Sequence, residues 1–146
     1  MAYIYTGVFF DQEELQNIID KITKTRLYRV IDNPHITFAF RPSKIDPALF
    51  GKKATFNIIG YACDENNQGV SVCLHTTESN DLAKEFFTIS NPHITISVSK
   101  IGKPVNTGKL DFIPLNRINS ELVGSLEITG TYGGFDGAKV DYSSEL

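Results

Sequence analysis

Asn33-Pro34-His35-Ile36-Thr37 returns letter for letter as Asn91-Pro92-His93-Ile94-Thr95, 58 residues further along a chain of 146. In both copies the Asn-Pro pair breaks whatever precedes it, and a run of strict alternation follows. From His35 to Arg41, the residues Ile36, Phe38 and Phe40 fall on one strand face, and His35, Thr37, Ala39 and Arg41 on the other. From His93 to Ser99, the residues Ile94, Ile96 and Val98 are set against His93, Thr95, Ser97 and Ser99. Each copy predicts a strand with an apolar face and a His-x-Thr face.

The flanks repeat as well. Tyr3 to Phe10 is aromatic and β-branched, the composition of a buried strand. Asp11 then opens a helix with Glu14 as its capping-box partner and Leu15, Ile18, Ile19 and Ile22 at helical spacing. Before the second copy, Val70 to Thr76 predicts a strand and Ser79 to Phe87 a short helix. Downstream, Phe56–Gly60 (Phe-Asn-Ile-Ile-Gly) resembles Leu126–Gly130 (Leu-Glu-Ile-Thr-Gly). Further strands are expected at Ala54 to Cys63, Leu110 to Leu115 and Leu122 to Tyr132. Asp64 to Gly69 carries a turn signal, and Lys100 to Gly108 is expected to be a flexible loop. Gly133 to Gly137 predicts a hairpin turn, with Ala138 to Tyr142 returning from it. The pattern is two copies of a strand–helix–strand–strand unit, residues 1–66 and 67–146. Neither copy is large enough for a generous core alone. The expected solution is a single α+β domain of two lobes about a pseudo-two-fold axis, which brings equivalent side chains face to face.

Composition narrows the partners. Hydrophobic residues make up 41% and charged residues 21%, the balance of a globular domain. Fourteen Lys and Arg against seventeen Asp and Glu give a net charge of -3, which disfavours a long duplex nucleic acid as partner. A small anion bound in a local pocket is compatible with that charge. No apolar stretch approaches the ~18 residues of a membrane span, and Met1 to Phe10 lacks the basic opening of a secretory signal. Cys63 and Cys73, the two cysteines, lack the framework of a secreted disulfide scaffold and are expected to remain thiols. The expectation is a cytoplasmic monomer with no membrane partner.

The His-x-Thr face carries the chemistry. Residues i and i+2 of a strand share a face about 7 Å apart, so each motif presents an imidazole and a hydroxyl to one anion. Two such strands across a groove place two imidazoles about a centre. A neutral ring takes a proton from an attacking oxygen, and a protonated one gives a proton to the leaving oxygen. A histidine pKa near 6.5 lets both forms coexist at neutrality. Two such motifs in identical pentapeptides, in a chain with three histidines, resemble the 2H phosphoesterase superfamily over essentially the whole chain. The resemblance implies two antiparallel-rich sheets with helices outside and a central groove. It implies that His35 and His93 are the acid/base pair and that Thr37 and Thr95 bind phosphate, with neither metal nor cofactor. The implied substrates are 2′,3′-cyclic phosphates, 2′-5′ or 3′-5′ linked short oligonucleotides, or cyclic oligonucleotide signals of the kind cleaved by phage anti-CBASS nucleases. The rival expectation is a non-catalytic protein that sequesters a nucleotide or RNA in the same groove.

Other residues are read more plainly. His75 closes a strand before a helix and is expected in a structural or surface position, with groove lining as the alternative. No ligand spacing supports a zinc site through it. Lys21, Lys24, Arg26 and Arg29 suit a helix C-terminus, with contact to a phosphate as the alternative. Arg41 and Lys100 could reach a second phosphate. Tyr3, Tyr5 and Tyr132 are candidates for stacking on a base, or for the core.

Overall fold

The computed structural model describes residues 3–122 and 126–143. Strand β1, Tyr5–Phe9, leads into helix α1, Gln12–Ile19, whose N-cap is Asp11; its carboxylate accepts from the Glu14 amide. Such a cap satisfies one of the amides that the first turn leaves without an intrahelical partner. A short strand β2, Arg29–Val30, and the first motif strand β3, His35–Phe40, follow. Asp46 caps a single 3₁₀ turn at Pro47–Leu49. The long strands β4, Lys53–Cys63, and β5, Asn67–Thr77, form a hairpin whose turn is tied by Asp64 accepting from the amides of Asn66 and Asn67. Helix α2, Asn80–Phe86, capped by Ser79, precedes the second motif strand β6, His93–Val98. The remainder comprises a 3₁₀ segment at Pro104–Lys109, β7 (Ile113–Pro114), α3 (Leu115–Ile118), a 3₁₀ turn at Ser120–Leu122, β8 (Glu127–Phe135) and β9 (Val140–Asp141).

The class is α+β, mostly antiparallel sheet with few helices. Among the described residues all strand pairs are antiparallel and join in one nine-stranded sheet with the order β2-β6-β5-β4-β8-β1-β3; β7 pairs with β4 and β9 with β8. The expected two sheets are therefore one. The physical reason is the pairing of β4 with β8, Phe56 opposite Ile128 and Asn57 opposite Glu127, which joins the two arms by backbone hydrogen bonds. β3 and β6 belong to opposite arms yet approach one another, so the sheet curls round. Its apolar face buries Val8, Ile36, Phe56, Val70, Ile94 and Ile128, and α1 and α2 add Leu15, Ile19, Leu82 and Phe86 to the same cluster. Each such side chain, fully buried, contributes about 1.5–3 kcal/mol.

Several expectations are corrected at the C-terminal end. Leu110 to Leu115 is a strand only at Ile113–Pro114, after which the chain turns helical. Leu122 lies in a 3₁₀ turn and β8 begins at Glu127, with Leu126 buried just before it; residues 123–125 of the expected strand lie outside the described residues. Gly133 and Gly134 are not in a turn but inside β8, opposite Gly7 and Thr6. A methyl group on Gly134 would stand 2.6 Å from the Tyr3 ring, so the missing side chain makes room for an aromatic ring. The turn comes later, with Asp136 accepting from the amides of Ala138 and Lys139. Cys63 and Cys73 are free thiols; Cys63 stands opposite Gln68 and Cys73 opposite Asn57.

Candidate active site

Both His-x-Thr strands are bulged at the same place. Tyr5 and Thr6 pair with Phe40 and Ala39, whereas Gly7, Val8 and Phe9 pair with Thr37, Ile36 and His35, so Phe38 is an extra residue. On the other arm Asn67 and Gln68 pair with Val98 and Ser97, whereas Gly69, Val70 and Ser71 pair with Thr95, Ile94 and His93, so Ile96 is extra. In each case the bulge follows the histidine by three residues, and a glycine stands opposite the threonine. A side chain at Gly7 would run into the Ile36 carbonyl oxygen, and one at Gly69 into the Thr107 methyl and the Ile94 carbonyl. A bulge increases local twist and re-aims side chains. It is the glycine that lets the two backbones come close enough to form it.

The four motif residues line one cavity of about 570 Å³. Each histidine is oriented in the same way. His35 Nδ1 lies 2.8 Å from the Asn33 carbonyl and His93 Nδ1 lies 2.7 Å from the Asn91 carbonyl. A carbonyl only accepts, so in both rings Nδ1 carries the proton and donates. In the neutral ring Nε2 then holds the lone pair, free to take a proton. The surroundings differ. The His35 ring stacks on Tyr5 at 4.3 Å between centroids and lies 5.2 Å from Phe9; the His93 ring faces Phe112 at 6.5 Å. Burial pushes the His35 pKa below its ordinary value. The bond to Asn33 opposes that shift, and the charge on His93 adds to it. Burial also pushes the Tyr5 phenol up to about 12, so it stays neutral.

The two threonines are not equivalent. Thr37 is exposed, and its hydroxyl has no protein partner among the described residues. Thr95 is buried and donates to Thr107 Oγ1 at 2.9 Å, with the Pro104 carbonyl at 3.3 Å. Thr107 also accepts from Asn67 Nδ2 at 3.0 Å, and the same amide reaches the Lys103 carbonyl at 2.8 Å. The segment expected to be a flexible loop is thus a 3₁₀ wall pinned to β5 and β6 through buried polar groups. Its Gly108 lies against the His93 ring, where a methyl group would stand 2.9 Å from Cε1.

Residues outside the motifs sort themselves by position. Arg29 and Asp32 are the charged side chains of the lining, other than the histidines. Arg26 instead braces the end of α1, bonded to Gln16, to Asp20 and to the Thr23 and Thr25 carbonyls, and Lys24 pairs with Asp20 at 3.7 Å. Tyr5 lines the cavity, while Tyr3 and Tyr132 are buried. Lys100 sits over the Tyr28 ring. His75 is away from the cavity lining, with Nε2 3.4 Å from Glu127. Among the described residues no three His, Cys, Asp or Glu side chains cluster in the manner of a metal centre, and no helix is long and apolar enough to cross a membrane.

Phe40 is the residue that sequence reasoning misplaced. It is not on the buried face with Ile36 but 66% exposed and in the cavity lining. The extra residue Phe38 shifts the alternation by one, which carries Phe40 to the side of His35 and Thr37. Asn67 and Thr107, buried polar residues behind the site, were missed as well; neither lies in a motif. No known family model matches this chain, and no curated protein matches it.

Proposed function

We propose that this protein is a metal-independent phosphodiesterase of the 2H phosphoesterase type, acting on a nucleotide phosphodiester through His35 and His93. The observation that carries the reading is the shared orientation of the two imidazoles. Both line one cavity, and both commit Nδ1 to the carbonyl two residues upstream. That leaves Nε2 as the proton-transfer atom on each side. Anchoring of the ring from behind is how an acid/base histidine is held in one tautomer. The duplicated two-lobed architecture is supported by the matching bulges and by the register of β4 against β8. Superposing Phe56–Gly60 on Leu126–Gly130 carries Asn57 onto Glu127, and these two residues stand directly opposite one another.

In the proposed reaction a neutral imidazole takes the proton of the attacking oxygen, which is either water or the substrate's own 2′-hydroxyl. As the new P–O bond forms, the opposite P–O bond breaks, and the protonated imidazole gives its proton to the leaving oxygen. Burial, which lowers the His35 pKa from its ordinary value, favours the neutral, proton-accepting form of that ring. Thr37, with its hydroxyl unengaged, donates to a non-bridging phosphoryl oxygen. Thr95 shares that role on the other side, in exchange for its bond to Thr107.

The test is product analysis by mass spectrometry after incubation in EDTA with 2′,3′-cyclic nucleotides, 2′-5′ oligoadenylate, cyclic di- and trinucleotides and short RNA. Cleavage of at least one, abolished in His35→Ala and His93→Ala, is the expected result. Binding with every ligand recovered intact would replace the enzyme by a sequestering protein, and turnover by the double variant at the parent rate would overturn the assignment.

A further inference from the structure

Half of the chain's cations sit in two segments that the fold brings together at one edge of the cavity. Residues 21–30 hold Lys21, Lys24, Arg26 and Arg29, and residues 97–110 hold Lys100, Lys103 and Lys109; neither segment contains an Asp or a Glu. They carry seven of the fourteen Lys and Arg, which leaves the rest of the chain with seven cations against seventeen carboxylates. Arg29 pairs with Val98 and Val30 with Ser97 at the end of β6. Behind that pairing, the fully buried Gln68 donates to the Thr25 carbonyl at 2.7 Å and accepts from Ser97 Oγ at 2.6 Å, and Ser97 Oγ accepts from the Leu27 amide at 2.9 Å. Buried polar groups satisfied in this way hold the first segment against the second. Asp20 answers Lys24 and Arg26. Arg29, Lys100 and Lys103 are exposed and have no ion pair among the described residues, and Lys100 lies over the Tyr28 ring at 5.3 Å. Cations gathered without counter-charges give this edge a positive potential in a chain of net charge -3.

We propose that Arg29, Lys100 and Lys103 form a rim that carries the strand flanking the scissile phosphate, so that the substrate is a single-stranded oligonucleotide with several phosphates; the inference rests on the phosphodiesterase reading. The rim is continuous with the catalytic cavity. Arg29 lines that cavity, and so do Pro104 and Val105, which directly follow Lys103. Val98, opposite Arg29, comes three residues after Thr95 in β6, at most about 10 Å of strand, so the next phosphates of a strand held at His93 come within reach. The lining's carboxylate, Asp32, also lines a second cavity with Asp11 and Thr129, so it lies toward the other arm. A single strand can follow one narrow cationic rim. A duplex presents its charge over a wider face, which the carboxylates elsewhere on the chain would repel. A cyclic mononucleotide has no second phosphate and would leave the rim unused.

The experiment is binding of fluorescein-labelled 2′-O-methyl oligouridylate of about eight nucleotides, followed by anisotropy read on mixing over a series of salt concentrations. Uridine 3′-monophosphate is the comparison ligand without flanking phosphates. The parent is expected to bind the strand more tightly than the mononucleotide. Each phosphate contact contributes about 0.7 to the slope of log affinity against log salt for a single strand. Lys100→Gln/Lys103→Gln should therefore flatten the slope by about 1.4 and raise the strand's Kd about tenfold or more in salt of about 0.1 M. Arg29→Gln should flatten it by about 0.7. The control is Lys84→Gln/Lys139→Gln, which removes the same charge from exposed positions on α2 and in the β8–β9 turn and should leave the slope near that of the parent. If the strand binds and the two lysine pairs change slope and affinity equally, the rim is overturned and the phosphodiesterase reading stands. If the parent binds the mononucleotide as tightly as the strand, the rim falls in the same way. If it binds neither, both readings fall.

Discussion

Replacing His35 by Asn removes Nε2 from the cavity while leaving an amide nitrogen near the place of Nδ1, where it can still donate to the Asn33 carbonyl. The proton transfer lost is worth about 10²–10⁴ in kcat, or about 2.7–5.4 kcal/mol of barrier. The substitution also removes the ring stacked on Tyr5 at 4.3 Å and lying 5.2 Å from Phe9. At about 0.5–1.5 kcal/mol for each aromatic pair, the fold should lose about 1–3 kcal/mol. At about 2–4 °C for each kcal/mol, the melting temperature should fall by about 2–12 °C. The pH dependence has a definite sign. Burial holds the His35 pKa below its ordinary value, and the unfolded chain has that ordinary value of about 6.5. As pH falls, the unfolded state takes the proton first. The stability of the parent that comes from this ring is therefore complete above about pH 6.5 and is lost as pH falls through the folded value. Thermal melts from pH 8 to pH 5 should show a steeper acid decline for the parent than for His35→Asn. Steady-state kinetics on the cleaved phosphodiester supplies the rest, including the double variant His35→Asn/His93→Asn. Two groups acting in one transition state are not additive, so the double variant should fall little below the worse single one. A folded His35→Asn enzyme within threefold of the parent kcat would refute the acid/base role. Costs that multiply in the double variant would refute the shared transition state.

Two further predictions concern the walls of the site. Gly7→Ala and Gly69→Ala should each cost about 1–3 kcal/mol through overpacking, and denaturant melts should show the loss; no change would mean that the bulges do not depend on close backbone contact. Thr107→Val leaves the Thr95 hydroxyl and the Asn67 amide short of an acceptor, a cost of about 1–3 kcal/mol, whereas Thr107→Ser keeps the hydroxyl and should melt near the parent. Equal melting of the Val and Ser variants would count against the polar chain as the anchor of the Pro104–Lys109 wall.

Much of this structure follows from local rules. Asn33-Pro34 and Asn91-Pro92 end what precedes them, Asp11 and Ser79 cap the helices that follow them, and the two alternating runs become β3 and β6. These are short-range effects of backbone sterics, capping and the two-residue period of a strand, so the sequence determines them unaided. It also placed both histidines and both threonines on the polar side of their strands, because His-x-Thr precedes the bulge and the period still holds there. Past the bulge the period breaks, and the sequence read Phe40 as core. That failure is tertiary in origin: whether Phe38 and Ile96 become extra residues depends on Gly7 and Gly69, which lie 31 and 27 residues before them in the chain, on the facing strands. The same holds for the curl of the sheet that brings β3 near β6, for the β4–β8 pairing that made one sheet of two, and for Thr107 reaching Thr95 from outside any motif. Side-chain periodicity is written into a strand by its own backbone, but twist, bulge and partner are set by whatever packs against it.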